Sequence, residues 1–310
     1  EAAGQLWYNS GTGKFKIGTE SAGAWASGTN INQAREYLAA SGITTAAIVA
    51  GGDAPPGVDS LTETYDGTTW TEVNNLNDAR YQLSAAGQAP STAALVAGGR
   101  EPAVSNSAEK WDGTSWTQAT DITTARALSG LVGIQGAAIM FGGYTGSPAA
   151  STVTDIAEIW NGSTWTETAD LLVGRTGMYH AGTSTAALGI GGTTGAAPAV
   201  TATVESWNGT SWTETTNINT ARQDGASGGS QTAALIFGGL TGSAVTESWD
   251  GTTWTTAGSL ATGRHATSGT TATSNSSGFA VGGYNPSATA LNTMEIWTDP
   301  VYAIKTVTVS

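Results

Sequence analysis

Six arginines and six glutamates recur at fixed places in this 310-residue chain and are the first candidates for chemistry. Arg35, Arg80, Arg126, Arg175, Arg222 and Arg264 each follow a Trp by ten residues. Glu63, Glu109, Glu158, Glu205, Glu247 and Glu295 each stand two residues before a Tyr or Trp. A charged ring is one reading. Six against six cancel, however, and the net charge of −13 comes from the remaining 18 acidic (24 − 6) and 5 basic (11 − 6) residues. The expected role is therefore structural, as pairs that fix strand register. Catalysis needs an activated nucleophile, an acid–base pair or a metal. The two histidines, His180 and His265, fall in separate repeats, and there is no cysteine, so neither a thiolate site nor a disulfide can form. Asp53, Asp59 and Asp155 have no spacing that sets them apart. No catalytic residue, cofactor or metal site is expected.

Composition narrows the partners. Apolar residues make up 39% of the chain and charged ones only 11%, against roughly 25% in an average soluble domain. Small and β-compatible residues fill the difference, which points to an all-β protein with many turns. No basic cluster could neutralise a phosphate backbone, so nucleic acid is not an expected partner. Membrane insertion is not expected either, since no stretch approaches about 20 apolar residues. Glu1 to Tyr8 lack the regions of a signal peptide, and the absence of an initial Met reads as a processed or partial chain.

Self-comparison supplies the architecture. A Gly-Gly pair closes an apolar run six times, at Gly51, Gly98, Gly142, Gly191, Gly238 and Gly282, with spacings of 47, 44, 49, 47 and 44 residues. Glu-x-aromatic follows each pair. In five repeats an Asp/Asn-Gly turn then leads to a second Trp, five residues after the first aromatic: Trp70, Trp116, Trp165, Trp212 and Trp254. Trp25 and Arg35 supply the same couple near the start of the chain. Asp-Gly and Asn-Gly are strong short-range hairpin signals because both turn residues accept φ > 0. Each repeat thus reads as four strands: a beginning at the Arg, b before Gly-Gly, c carrying Glu-x-Trp, and d from the second Trp. Four antiparallel strands every ~45 residues make a β-propeller blade. The Trp series is expected to pack between blades. Three Asn-x-Ser/Thr sequons, at Asn161, Asn208 and Asn275, read as by-products of the repeat.

The Gly-Gly, the Arg and the paired aromatics resemble the kelch repeat over residues 20 to 298, which implies a six-bladed propeller. The Asp/Asn-Gly-Thr/Ser-Thr/Ser-Trp turn is tighter than typical kelch. It is similar to repeats of tailed-phage virion proteins, notably of cyanophage. Gly4-Gln-Leu-Trp-Tyr-Asn-Ser-Gly-Thr-Gly-Lys-Phe-Lys likewise resembles a hairpin of phage fibre proteins. These resemblances imply a virion location, with an extracellular or cell-surface one as the alternative.

The end repeats complement each other, one lacking strand d and the other supplying it. Residues 24 to 28 are therefore expected to complete the last blade and close the ring. Residues 1–19 read as an anchoring hairpin and 299–310 as a tail, whose Tyr302 to Val309 pair with that hairpin or with another chain. Both ends fall on the face of the c–d turns. The b–c loops on the other face vary, the Glu following the second Gly by 11, 10, 15, 13, 8 and 12 positions. Variation confined to one face marks a binding surface. Asp53, Arg100, Tyr144, Asp155 and Tyr284 are its expected contacts, meeting a host-surface glycan or protein or other virion proteins. The alternatives are a lectin-like module and, third, a propeller enzyme.

Overall fold

The computed structural model describes residues 5–20, 23–88, 90–146, 152–195, 200–271, 274–299 and 302–307, so residues 1–4 of the expected anchor and 308–310 of the tail lie outside it. It is an all-β propeller of six four-stranded antiparallel blades, with no helix among the described residues. In blade 1 strands a to d are Ala39–Ile43, Ala46–Ala50, Thr62–Tyr65 and Trp70–Val73. Blades 2 to 5 repeat this order from strands a at Ser84–Ala85, Gly130–Ile134, Tyr179–Thr183 and Ala226–Ser230. Blade 6 takes strands a to c from Ser268–Thr271, Ser277–Val281 and Met294–Thr298. Its strand d is Ala24–Ser27, which pairs with strand c from Ala24↔Thr298 to Ser27↔Glu295 and closes the ring.

The chain enters and leaves the ring at that one pairing, on the c–d side. There Leu6–Asn9, Lys14–Glu20 and Tyr302–Thr306 form a separate three-stranded sheet. Of the two partners expected for the tail, the hairpin of the same chain is the one it meets.

Among the described residues there is no single central core. Apolar side chains gather in six clusters, one per blade interface. Trp111 and Trp116 of blade 2, for example, pack on Ala39, Ile48 and Ala50 of blade 1. At the closing interface Trp25 and Trp297 lie against Phe237 of blade 5. A Trp buries ~200 Å², on the order of 5 kcal/mol of transfer free energy. The second Trp of a blade also donates its indole N–H backwards: Trp70 to Thr29 O at 2.9 Å, Trp116 to Thr62 Oγ1 at 3.0 Å.

All six Arg–Glu couples are buried ion pairs within a blade, at 2.5 to 2.8 Å. The second carboxylate oxygen accepts a backbone N–H from the connector that arrives from the preceding blade: Asn32, Asn77, Thr123, Leu172, Asn219 and Ala261, at 2.6 to 2.9 Å. The Arg also donates to a backbone carbonyl before strand c, as Arg80 does to Ser107 O at 2.6 Å. Burial works against the guanidinium charge and the facing glutamate works for it. One residue before each of those connector positions is an apolar side chain, Ile31, Leu76, Ile122, Leu171, Ile218 or Leu260, no more than 4% exposed.

One detail of the sequence reading is corrected. Strand a begins four residues after the Arg, not at it. The intervening residues leave the extended conformation because the Gly-Gly of the previous blade packs against them. Gly52 donates to Arg80 O at 3.0 Å, and a Cβ on Gly51, at φ 65°, would stand 2.6 Å from that oxygen.

Removing one partner of a buried pair leaves the other charge uncompensated, at about 3–5 kcal/mol. Glu158→Gln, which keeps an oxygen for Thr123, is expected to lose that much in urea unfolding. Combining it with Arg126→Met should cost clearly less than the sum of the two single losses; simple additivity would show that the pair is not coupled.

Candidate functional site

Aligning the blades on the Arg shows where the repeat stops repeating. The residue two after each Arg is Tyr37, Gln82, Leu128, Gly177, Asp224 or Ala266, and all six have φ between 48° and 62°. Each donates its backbone N–H to the carbonyl of its counterpart one blade back: Gln82 to Tyr37, Leu128 to Gln82, Gly177 to Leu128, Asp224 to Gly177, Ala266 to Asp224 and Tyr37 to Ala266, at 2.7 to 3.1 Å. The bonds close on themselves as an annulus around the propeller axis, on the b–c side. For the five non-glycine members the left-handed conformation costs about 1 kcal/mol or more each. It leaves their side chains free of the strand pattern, so the annulus is constant while its side chains are not.

The residue after each Gly-Gly forms the next rim: Asp53, Arg100, Tyr144, Thr193, Leu240 and Tyr284. Backbone bonds tie these to the residue after each Arg, namely Glu36, Tyr81, Ala127, Thr176, Gln223 and His265. Four of the five expected contacts, Asp53, Arg100, Tyr144 and Tyr284, occupy this one rim position. Asp155 is elsewhere, exposed beside the d–a connector of its own blade, where its carbonyl accepts from Leu171 N at 3.0 Å. Glu36, Tyr37, Tyr81, Gln82 and Asp224 escaped the sequence reading. They fall at fixed offsets from the Arg where residue type changes from repeat to repeat, and that contrast was the available signal.

The rim is chemically uneven. Blades 6, 1, 2 and 3 carry its tyrosines, its arginine and its imidazole, while blade 4 offers Thr176, Gly177 and Thr193. Arg100 lies over the Tyr81 ring at 5.4 Å and donates to Tyr144 Oη at 3.1 Å. Tyr144 in turn donates to Gln82 Oε1 at 2.6 Å. Among the described residues Arg100 is the one arginine in no ion pair. Tyr37 stands 6.4 Å from Tyr81, ring to ring, and His265 5.6 Å from Tyr284. Burial, reinforced by repulsion from Asp53, pushes Glu36, 5% exposed, up to about 7, although the Tyr284 hydroxyl hydrogen-bonds to it. Burial likewise raises Asp224. Gln223 Nε2 bonds its Oδ2 at 2.7 Å, while its Oδ1, lying over the bare Cα of Gly177, has no partner.

Beneath the annulus runs an axial cavity of about 110 Å³, walled by strands a, with room for several waters. Gln88 spans it, donating from blade 2 to Gly229 O of the opposite blade 5 at 2.7 Å. His180 reaches into the lumen and burial holds it down near 4; His265 is lowered by burial as well. The two histidines are thus apart, one inside the ring and one on its rim. Asp59 braces its own strand, accepting from Leu61 N and Gln33 Nε2 at 3.0 and 3.1 Å. The sequon residues have structural work: Asn161 and Asn208 fold their turns, and Asn275 Nδ2 bonds Ser248 Oγ of blade 5 at 2.8 Å. Among the described residues no three His, Asp or Glu converge as metal ligands would.

No family model matches the sequence, and no curated protein matches it. Among solved structures, that of YjhT aligns with 88% of this chain and 99% of its own at a TM-score of 0.73 and 14% sequence identity. The fold is shared; an identity that low carries nothing further.

Glu36 gives a pH signature. A carboxyl raised from 4.5 to about 7 binds more proton folded than unfolded across that interval. Stability therefore falls as pH rises from about 4.5 to 7 and is flat beyond. Glu36→Gln should be more stable than the parent at pH 8, by up to about 3 kcal/mol, and indistinguishable from it at pH 4. Chemical denaturation at the two pH values checks this; an equal difference at both would assign the effect to packing instead.

Proposed function

We propose that the chain is a non-enzymatic recognition module of a virion, a tail fibre, tail tip or capsid decoration, mounted by its terminal sheet and binding through the b–c face. The observation that carries this is the one-sided placement of variation. Scaffold positions repeat six times, the rim positions do not, and both chain ends leave from the opposite side. The kelch-like repeat and the two phage-like motifs support the virion setting. Other virion proteins, or a glycan or protein of the host surface, are the partners in this reading. The terminal sheet, with Leu6, Tyr8 and Phe15 more than half exposed, is the surface for assembly.

The tyrosines favour a second reading that shares the same rim, a lectin-like module of the cell surface or exterior. Tyr rings offer flat apolar faces with a polar edge, as saccharide stacking requires.

Chain held by its terminal segments is expected to bind a cell-surface or glycan panel, with Arg100→Ala and Tyr144→Phe reducing retention about tenfold or more. Retention unchanged in both variants would overturn the rim as the contact surface. In material from its source, the chain should sediment with assembled particles. Recovery solely as free protein would favour the lectin-like reading.

A further inference from the structure

The c–d turns of blades 1 to 5 share one geometry and carry two chemistries. Asp66, Asp112 and Asp250 open the turns of blades 1, 2 and 5, Asn161 and Asn208 those of blades 3 and 4, and a Gly follows each of them. In all five the side-chain Oδ1 accepts two backbone N–H groups, from the residues two and three ahead. Thr68 and Thr69 donate to Asp66 at 2.8 Å, Ser163 and Thr164 to Asn161 at 2.9 Å, and Thr210 and Ser211 to Asn208 at 2.9 Å. On a carboxylate these bonds hold the charge, and they keep Asp66, Asp112 and Asp250 below the usual carboxylate range. On an amide the same pair polarises the Cγ carbonyl and is placed to stabilise negative charge on its oxygen, as an oxyanion hole does. Both asparagines are exposed. The next nitrogen in the chain belongs to Gly162 or Gly209, which have no side chain to obstruct it and whose N–H, among the described residues, is in no hydrogen bond. Every other asparagine of the chain is followed by a residue with a side chain.

We infer that Asn161 and Asn208 are sites of spontaneous deamidation in the folded chain, and that their turns accept the aspartate that results. The Gly nitrogen loses its proton to water and bonds to the Asn Cγ. The Cγ–Nδ2 bond breaks, Nδ2 takes up a proton and leaves as ammonia, and a cyclic imide remains. Water then opens the imide. Attack at Cγ breaks the new C–N bond and yields aspartate with the main chain as before; attack at the main-chain carbonyl carbon yields an isoaspartyl link, longer by a main-chain atom. The sum is asparagine and water to aspartate and ammonia, with nothing oxidised or reduced. Aspartate meets a turn that already holds a carboxylate in three other blades, and its bonds to the two N–H groups become charge-assisted. The isoaspartyl link instead stretches the chain between Trp160 and Trp165, or Trp207 and Trp212, which pair across the turn. Both sites lie on the face from which the chain ends leave, so the net charge moves from −13 to −15 (−13 − 2) there while the rim of the b–c face is untouched.

The test is incubation of the intact folded chain in neutral buffer, followed by digestion and peptide mass spectrometry. The expected result is the mass gain of amide-to-acid exchange at Asn161 and Asn208, faster than at any asparagine not followed by Gly by about tenfold or more, a reduced share of what one preorganised donor gives a developing oxyanion. Isoelectric focusing of the same sample should show the folded protein moving to more acidic positions in two steps. No gain at either asparagine, or a gain spread evenly over all the asparagines, would overturn the assignment. The double variant Asn161→Asp, Asn208→Asp carries the second half of the inference. It should stay unchanged at both sites and resist urea at least as well as the parent. A variant that unfolds at clearly lower urea would show that these turns reject the carboxylate.

Discussion

The buried glutamate of strand c is the interaction on which the rest depends. One of its oxygens binds the arginine of its own blade and the other binds a backbone N–H of the connector from the blade before. The arginine then fastens the start of its blade to the loop ahead of strand c. A single carboxylate therefore fixes three pieces of chain that are distant in sequence, and it does so where water cannot compete. The cost is visible too. Five of the six arginines keep an Nε–H that is buried and unpaired. Pairs of this kind give little net stability against an apolar replacement; what they supply is a single permitted register for each blade.

With register fixed, the axis is free to be irregular. The annulus bonds through backbone alone, so it tolerates tyrosine, glutamine, leucine, glycine, aspartate and alanine at equivalent places. Leu128 and Ala266 show that this geometry is imposed by the ring and not by local preference, since neither favours φ > 0. Chemistry accumulates where the backbone asks nothing of the side chain, which is why one sector of the rim holds Tyr37, Tyr81, Arg100, Tyr144 and Tyr284 and another sector is bland.

Much of this was legible in the sequence, and the limits have physical causes. Glycine pairs, Trp spacing and Asp/Asn-Gly turns are local or periodic signals, and they yield six blades, four strands each, and closure by Trp25 without further information. The position of strand a was misread because the Arg, so prominent as a repeat mark, precedes a left-handed turn that no residue type announces. Gln88 was illegible for a different reason: it acts across the ring, on a blade 141 residues away. The rim residues Glu36 and Asp224 were hidden because a reading tuned to repetition discards positions that vary. Asp155 was chosen on loop membership alone, and a loop of that length carries some residues away from the mouth.

Closure by Ala24–Ser27 also has a mechanical side. The two chain ends emerge from neighbouring antiparallel strands at Ala24 and Thr298. A force that drew the ends apart would load first the terminal sheet, where Lys14–Glu20 pairs with Tyr302–Thr306, and then the ladder of blade 6 one hydrogen bond at a time, the weakest direction for a β-sheet. With both ends fixed to one support that direction is never loaded. A pull on the far face would instead be shared by all six blades, so the seam is weak only against a stress its own placement avoids.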